Sequence, residues 1–277
     1  LATSSAASDV YKRQSSYCSR RLDEFKEKWL GFWKPILVVV MAISLVLFEP
    51  DLGSSAVIFV VALSIMFIAG APLRHLFVIF SLGMSVFILM ILTVPWRMKR
   101  ILSFMNPWDT YQNEGWQLSH SLIAFGRGDW FGVGLGESLQ KLHYLPDAQT
   151  DFIFAIIAEE MGLLFCIFLV ALFSFLIFKC FYIGRLARHA NYYLGSYIAY
   201  GAGICIALHV FINIGVSSGM LPTKGITLPF ISFGGSNLLL MFALIALVLR
   251  INFEISESFT NKNLSLIHIS EPTRHRG

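Results

Sequence analysis

Long apolar segments separated by polar connectors constrain this chain more than any other feature. A helix needs about 20 consecutive apolar residues to cross a bilayer, and six segments approach or exceed that length. They are Pro35–Phe48, Ser54–Ala71, Leu76–Val94, Phe152–Phe178, Tyr197–Val216 and Leu228–Leu249. Hydrophobic residues make up 56% of the chain and charged residues only 14%, which lies outside the range of soluble domains. We therefore predict an all-α polytopic membrane protein with about six transmembrane helices.

Basic residues are concentrated in connectors that would share one side of the membrane. They occupy the flank 20–34, the connector Arg74-His75, the connector Lys179–His189 and the exit at Arg250. Short cytoplasmic loops carry an excess of Lys and Arg, so we assign these four regions to the cytoplasm. The net charge of +4 then belongs to these loops and does not indicate nucleic-acid binding. Alternation of the helices puts Glu49–Gly53, the large loop 95–151 and Ser217–Thr227 outside.

The two ends of the chain differ from everything between them. Residues 1–14 and 264–277 match neither the composition nor the periodicity of the rest, and both resemble translated sequencing-adapter read-through. We interpret them as non-native tails and exclude them from the fold argument. Residues 15–263 are predicted to form one membrane domain without internal repeats. The four cysteines lack the spacing of a metal site.

The outer loop 95–151 combines aromatic residues with a glycine-rich run. Its aromatic residues are Trp96, Trp108, Tyr111, Trp116, Trp130 and Tyr144. Such residues favour the membrane–water interface, so we expect the loop to lie there. The pattern of Gln117–Gly126 predicts a short amphipathic or re-entrant helix. The glycine run consists of Gly126, Gly128, Gly132, Gly134 and Gly136. It indicates either tight turns or close backbone approach to a ligand.

Three carboxylates accompany the fourth apolar segment. Asp151 ends the outer loop where the segment begins, whereas Glu159 and Glu160 lie inside it. A carboxylate in a membrane costs several kcal/mol unless it is partnered or solvated, so each suggests a function. At about 100° per residue, Glu159 points some 80° away from Asp151 and Glu160 nearly opposite. We therefore expect both glutamates to have structural or supporting roles, with polar partners on neighbouring helices.

The helix face below Asp151 carries the small residues Ala155, Ala158 and Gly162. Small residues promote close helix packing in membranes. The same face could instead form a groove for a lipid-linked substrate.

Two further polar features lie on the predicted outer side. Lys224 stands between two prolines in Met220–Pro229, and could either neutralise a phosphate or extend to the interface as an ordinary lysine. Ser232–Asn237 is a polar, glycine-containing run inside the sixth segment. Irregular backbone at membrane depth is tolerated only where it is buried in protein or lines a cavity.

An ordered set of short motifs resembles one bacterial family. The motifs are Glu49–Gly53, Asn106–Trp108, Gly126–Gly128, Leu145–Gly162, Gly219–Pro229 and Ile231–Ser236. Over about residues 17–254 the chain resembles the SEDS family of shape, elongation, division and sporulation proteins, and its division members in particular. The family has ten transmembrane helices. The resemblance therefore implies a C-terminal portion that roughly four helices precede.

The resemblance also implies an activity. SEDS proteins polymerise lipid II into glycan strands in the bacterial cytoplasmic membrane, together with a class B penicillin-binding protein that acts as transpeptidase and, in division, with other divisome membrane proteins. Their essential acidic residue is the Asp of a Thr-Asp-Phe motif, which corresponds to Asp151. The resemblance agrees with the charge distribution in putting the loop before this motif outside.

These expectations define a hypothesis for the site. Asp151 would be the general base for a sugar hydroxyl. The leaving pyrophosphate would need positive charge from Lys224, Arg127, Arg100 or a divalent cation such as Mg²⁺ or Mn²⁺. Further substrate-binding residues would be Thr150, Asp147, Ser232 and Ser236. Two alternatives stay open: a lipid II flippase or transporter, and a division scaffold that recruits a transpeptidase.

Overall fold

The computed structural model describes residues 14–16, 29–48, 51–113 and 115–269, and within these ranges it contains eight helices of more than ten residues. The helices are α1 (Trp29–Phe48), α2 (Leu52–Ile68), α3 (Leu73–Leu92), α4 (Pro95–Met105), α5 (Trp116–Gly128), α6 (Ile153–His189), α7 (Tyr193–Ser217) and α8 (Gly235–Ile269). A π-helical turn, Gln140–Tyr144, precedes α6. The predicted all-α class is confirmed for this part of the chain.

All six predicted apolar segments contain helix. By length and composition, α3, α6, α7 and residues 235–257 of α8 can cross a membrane, while Pro35–Phe48 and α2 form shorter apolar helices. The helix predicted at Gln117–Gly126 is present as α5. Most of the predicted tail 1–14 and of the basic flank 20–34 lies outside the described residues, as do Glu49 and Pro50. At the other end, α8 continues through residues 264–269 of the second predicted tail.

The start of the sixth segment is wrong in the prediction. Helix α8 begins at Gly235, and residues 228–234 form a non-helical loop in front of it. Pro229 disfavours helix at the residue before it, and the next residue, Phe230, has a positive φ of 65°. The Leu228 amide donates to the Ser232 hydroxyl at 2.7 Å instead of to a helical carbonyl. The run Ser232–Asn237 therefore surrounds the N-terminus of α8 and does not interrupt a span.

The core is built around α7. This helix packs against α2, α6 and α8, and α5 rests on α6 and α7. Buried side chains from four helices meet there, including Ile65, Ala158, Ile206 and Leu244. Small residues along α7 allow this close approach. Helix α3, by contrast, has no fully buried residue. Its Leu76 and Ile79 pack partly against the end of α2, and most of its other apolar side chains are exposed.

Helix α6 is broken at Gly162, where φ is 75° and ψ is −179°. Segment 129–134 of the outer loop inserts at this break, and its backbone hydrogen-bonds to both sides of it. The four bonds are Val133 N–Glu159 O at 3.0 Å, Gly134 N–Glu160 O at 3.0 Å, Leu163 N–Asp129 O at 2.9 Å and Leu164 N–Trp130 O at 3.3 Å. Buried backbone groups need such partners. Backbone hydrogen bonds thus hold the outer loop in the break of α6.

Close backbone contact explains several of the small residues. A β-carbon on Gly128 would overlap the carbonyl of Ala158, and one on Gly132 would overlap that of Glu160. One on Gly162 would overlap the amide of Gly132. Of the two interpretations of the small-residue face, the structure favours close packing. Gly128, Gly132 and Gly162 therefore allow the two backbones to pack closely.

The break in α6 gives a first testable prediction. Gly162→Ala is expected to lower the free energy of unfolding by at least about 2 kcal/mol, because an L-residue is strained at positive φ and its methyl group would overlap the inserted segment. The measurement is thermal unfolding of the purified protein in detergent. The matched control is Gly126→Ala in α5, where a β-carbon would meet nothing within 4 Å. A Gly162→Ala protein as stable as the control would show that the break does not need glycine.

Candidate active site

A tight turn places Asp151 at the N-terminal end of α6. The carbonyl of Asp147, a residue with φ of 55°, accepts from the amides of Thr150, Asp151 and Phe152 at 3.1, 3.0 and 3.3 Å. The Thr150 hydroxyl donates to the same carbonyl at 3.2 Å. Phe152 is buried, and α6 begins at the next residue. The turn therefore holds the Asp151 backbone at the point where the chain enters the apolar helix.

A second loop, residues 218–234, is joined to this turn by side-chain hydrogen bonds. The Ser232 hydroxyl donates to the Thr150 carbonyl at 2.5 Å. The buried amide of Asn213 in α7 donates to the carbonyls of both Asp151 and Ile226, at 2.8 and 2.7 Å. Asn213 thus ties the Asp151 turn to the residues that follow Lys224. The structure therefore brings Ser232, Thr150 and the loop that carries Lys224 together, and their binding of a substrate stays a prediction.

Lys224 lies between two carboxylates. A β-carbon on Gly225 would stand 2.6 Å from Asp151 Oδ2, so the Asp151 carboxylate lies against the backbone beside Lys224. The Lys224 ammonium itself forms an ion pair with Asp51, with Nζ 2.7 Å from Oδ1. The side chain of Lys224 passes directly over Gly53, where a β-carbon would collide with it.

Asp51 is the N-cap of α2. Its Oδ1 accepts from the amides of Gly53 and Ser54 at 3.1 and 3.2 Å, and its Oδ2 accepts from the Ser54 hydroxyl at 2.6 Å. Burial alone would raise the pKa of Asp51, but the hydrogen bonds from Lys224 and Ser54 outweigh it and hold the pKa below its usual value. Asp51 is therefore a fixed anion at neutral pH.

Asp151 has a different environment. Burial raises its pKa from 3.8 to about 6, and the charges of Asp147 and Asp51 act in the same direction, while Lys224 opposes them. Within the described residues the Asp151 carboxylate makes no ion pair, in contrast to Asp51. Asp147 is exposed. A carboxylate with this pKa is ionised at neutral pH and is more basic than an ordinary aspartate.

The other predicted site residues are distributed more widely. Ser236 lies half-buried in the first turn of α8, next to Asn237, whose amide donates to Thr227 at 2.7 Å. Arg100 in α4 stacks over the ring of Trp96, with 5.2 Å from its guanidinium carbon to the ring centroid. Arg127 in α5 is paired with Glu159. Neither arginine contacts the Asp151 turn.

Glu159 and Glu160 anchor the outer loop. Glu159 is 0% exposed and accepts from Arg127 Nη1 at 2.7 Å, from the Ser138 hydroxyl, and from the amides of Leu139 and Gln140 at 3.2 and 3.4 Å. Glu160 pairs with Lys141 Nζ at 2.7 Å. We expected partners on neighbouring helices. Only Arg127 lies in one of the eight long helices, and the other partners come from residues 138–141, at the start of the π-helical turn. The outer loop supplies them because it folds back onto α6.

The described residues contain no group of three or more His, Cys, Asp or Glu side chains that could hold a metal ion. Asp151 and Asp147 could supply oxygen ligands to a divalent cation, but among the described residues no third His, Cys, Asp or Glu side chain completes a metal-binding group with them. The prediction of Mg²⁺ or Mn²⁺ remains a prediction.

Sequence reasoning missed three residues of this site: Asp51, Asn213 and Gly225. Asp51 is followed by Leu-Gly-Ser at a helix start, which is typical of an N-cap. Asn213 is a polar side chain inside an apolar segment, and such residues have partners in the protein interior. For Gly225 the sequence offers no signal of its own. The pairing of Asp51 with Lys224 joins distant parts of the chain, which periodicity does not reveal.

The chain is similar to a known protein family over most of its length. Residues 10–257 match the family described as cell cycle protein FtsW/RodA/SpoVE. The probable peptidoglycan glycosyltransferase FtsW of Saccharophagus degradans is 47% identical over 242 residues, which cover 87% of this chain and 62% of that protein. The FtsW of Coxiella burnetii, with the same name, is 47% identical over 87% of this chain and 64% of its own length. This chain thus spans about three fifths of the length of these relatives.

Solved structures have the same fold at low identity. A peptidoglycan synthase complex contains a chain that aligns with a TM-score of 0.69 and 23% identity, covering 89% of this chain and 68% of the other. The rod shape determining protein RodA of Thermus thermophilus aligns with a TM-score of 0.58 and 23% identity, over 88% of this chain and 65% of its own. The resemblance to the SEDS family is therefore confirmed, and this chain belongs to the FtsW/RodA/SpoVE family of multi-pass, all-α membrane proteins.

Proposed function

We propose that the protein to which this chain belongs is a peptidoglycan glycosyltransferase that polymerises lipid II during bacterial cell division, with Asp151 as general base. The observation that carries the proposal is the Asp151 carboxylate, partly buried beside Lys224 and with its pKa raised to about 6. The names of the curated relatives, probable peptidoglycan glycosyltransferase FtsW, support the same activity.

The reaction requires a base because a sugar hydroxyl is a poor nucleophile at neutral pH. In our proposal the 4-hydroxyl of GlcNAc on one lipid II attacks C1 of MurNAc on the growing strand, which is held on undecaprenyl pyrophosphate. Asp151 takes the hydroxyl proton as the new C–O bond forms, and the pyrophosphate leaves with the electron pair of the bond that breaks. A single displacement inverts the α-linked donor to a β-linked product. A positioned base contributes about 10²–10⁴-fold to such a step.

The leaving pyrophosphate needs positive charge. Lys224 is a cation beside the Asp151 carboxylate, and its side chain is 30% exposed and therefore accessible to a phosphate. Ser232 and Thr150, which are hydrogen-bonded to each other, would supply further polar contacts to the substrate. Arg127 forms an ion pair with Glu159. A divalent cation could add charge from the substrate side, but we derive no step through it.

The proposed setting is the cytoplasmic membrane, with the Asp151 turn on the outer side. The basic connectors support this orientation. The proposed partners are lipid II, a class B penicillin-binding protein and other divisome membrane proteins. Similarity to a chain of a peptidoglycan synthase complex, described as coordinating polymerization and crosslinking, supports a transpeptidase partner.

The test is strand synthesis by the full-length protein in liposomes with its transpeptidase partner and labelled lipid II. We expect glycan polymers, resolved by gel electrophoresis. Translocation of lipid II without polymer would indicate a flippase, and partner binding without either activity would indicate a scaffold. Either result would contradict the proposal.

Lys224 gives a second prediction. Lys224→Ala is expected to weaken binding of an undecaprenyl-pyrophosphate-linked donor by about tenfold or more, since a charge-assisted hydrogen bond contributes about 1.5–3 kcal/mol. The measurement is equilibrium binding of the donor to the full-length protein.

The matched control for Lys224→Ala is Lys141→Ala. Lys141 is another outer lysine with similar exposure, 34% against 30%, and its carboxylate partner is also at 2.7 Å. Equal donor affinity in the wild type and in Lys224→Ala would identify Lys224 as an ordinary interfacial lysine.

A further inference from the structure

Three charged groups from separate parts of the chain come close together at the candidate active site. Asp51 caps α2, Lys224 reaches over Gly53 to pair with it, and the Asp151 carboxylate lies against the backbone of Gly225, the residue after Lys224. One cation therefore stands between two carboxylates but bonds to only one of them. The arrangement matters because a lysine bound to a general base would compete for the lone pairs that accept the proton.

We propose that Asp51 is a positioning residue: by holding Lys224 in an ion pair at the N-terminus of α2, it prevents Lys224 from closing on Asp151 and leaves that carboxylate free to accept a proton. This inference rests on the proposed function and goes beyond it, because it gives Asp51 a role in the reaction without contact with the substrate.

The strength with which Asp51 is held supports this role. Its two oxygens accept three hydrogen bonds from Gly53 and Ser54, which fix the carboxylate in the first turn of α2. An anion at a helix N-terminus is also favoured by the helix dipole. Lys224, by contrast, has a flexible four-carbon side chain. The fixed member of the pair therefore determines where the mobile ammonium rests.

Loss of the Asp51 charge should lower the pKa of Asp151. The charged groups that act on Asp151 are Asp147 in its own turn, Lys224 in the loop before α8, and Asp51 at the start of α2. Asp147 and Asp51 raise the pKa of Asp151, and Lys224 lowers it. Without Asp51, the ammonium of Lys224 would have Asp151 as its neighbouring anion. An opposite charge in direct contact lowers a carboxyl pKa by about 1–3 units and makes the base weaker.

The experiment measures the polymerisation rate of the full-length protein with its partner as a function of pH. The wild-type rate should fall below a pH of about 6 as Asp151 is protonated. In Asp51→Asn this acidic limb should shift downward by about one pH unit or more, and the rate at neutral pH should fall. Asparagine is also a good N-cap, so the start of α2 is retained. Asp51→Glu, which keeps an anion for Lys224, should restore the limb toward wild type.

A double-mutant cycle separates the positioning role from direct repulsion between Asp51 and Asp151. In a Lys224→Met background, Asp51→Asn should move the acidic limb much less than it does when Lys224 is present. An equal shift in both backgrounds would overturn the proposal, as would no shift in Asp51→Asn. If Asp51→Asn does not fold, Asp51→Ser, which removes the anion and keeps a good N-cap, should shift the acidic limb downward in the same way. An unchanged limb there would overturn the proposal too.

Two controls distinguish this inference from the proposed function. Glu254→Gln removes a carboxylate from another ion pair, with Arg250 in α8, and should leave the pH profile unchanged. If the wild type makes polymer and Asp151→Asn does not, while Asp51→Asn keeps the wild-type limb, then only the role of Asp51 is wrong. If the wild type makes no polymer, both fail.

Discussion

Asp151→Asn is expected to reduce glycan polymerisation by the full-length protein about 10²–10⁴-fold, the contribution of a general base. The substitution removes the proton acceptor but changes little else. The turn around Asp151 is held by backbone bonds to the Asp147 carbonyl and by Asn213, and none of these uses the Asp151 carboxylate. The measurement is the initial rate of polymer formation from labelled lipid II in liposomes.

The pH dependence provides an independent check on Asp151. A general base acts in its deprotonated form, so the wild-type rate should rise with pH through about 6 and be lost below it. Asp147→Asn is the matched control, because it removes an exposed carboxylate from the same turn and leaves the carbonyl of that residue in place. It should lower the rate far less. Polymerisation by Asp151→Asn at the wild-type rate would show that the base lies elsewhere.

The lengths of the apolar segments and the polar connectors between them allow much of the fold to be predicted. The six hydrophobic segments, the short helix before Gly128 and the position of Asp151 at a helix entrance all follow from local sequence, because burial in lipid or protein constrains each segment separately. The predicted start of the last helix is too early because an apolar residue need not be helical. Leu228 is apolar and fully buried, but it is buried in a loop. Hydropathy reports burial and does not distinguish the backbone conformation.

Partnerships between charged residues were much harder to predict. Arg127 is one of the cations predicted to serve the pyrophosphate, and the sequence does not show that it pairs with Glu159. Lys224 looked isolated between prolines, yet it is paired with Asp51. Each pair joins segments that come together only after the helices have packed. A single sequence shows that a buried charge needs a partner, but the identity of that partner is a property of the tertiary structure.

Replacement of Glu159 by glutamine is expected to have the largest effect on the outer loop. Glu159 is fully buried and accepts hydrogen bonds from Arg127, Ser138 and two backbone amides. In glutamine an NH₂ group replaces one of the two oxygens. This group cannot accept a hydrogen bond, so the N–H or O–H groups that donate to that oxygen would lose their acceptor, and Arg127 would lose its counter-ion. The Arg127 side chain is 36% exposed and can be solvated, but each buried donor left without an acceptor costs about 1–3 kcal/mol. We therefore expect a much lower unfolding temperature and faster amide hydrogen exchange across residues 129–141.

Glu160→Gln is the matched control for this loss. The two glutamates are adjacent, undergo the same substitution and each pair with a cation at 2.7 Å. They differ in burial, because the Glu160 side chain is 14% exposed and within reach of water whereas that of Glu159 is 0% exposed. Exposed ion pairs contribute about 0–1 kcal/mol, so this variant should stay close to wild type. Arg127→Gln should resemble Glu159→Gln in stability while leaving donor affinity unchanged. If Glu159→Gln and Glu160→Gln exchange amide hydrogens equally slowly in residues 129–141, the loop does not depend on the buried carboxylate, and the backbone bonds at the Gly162 break must be sufficient to hold it.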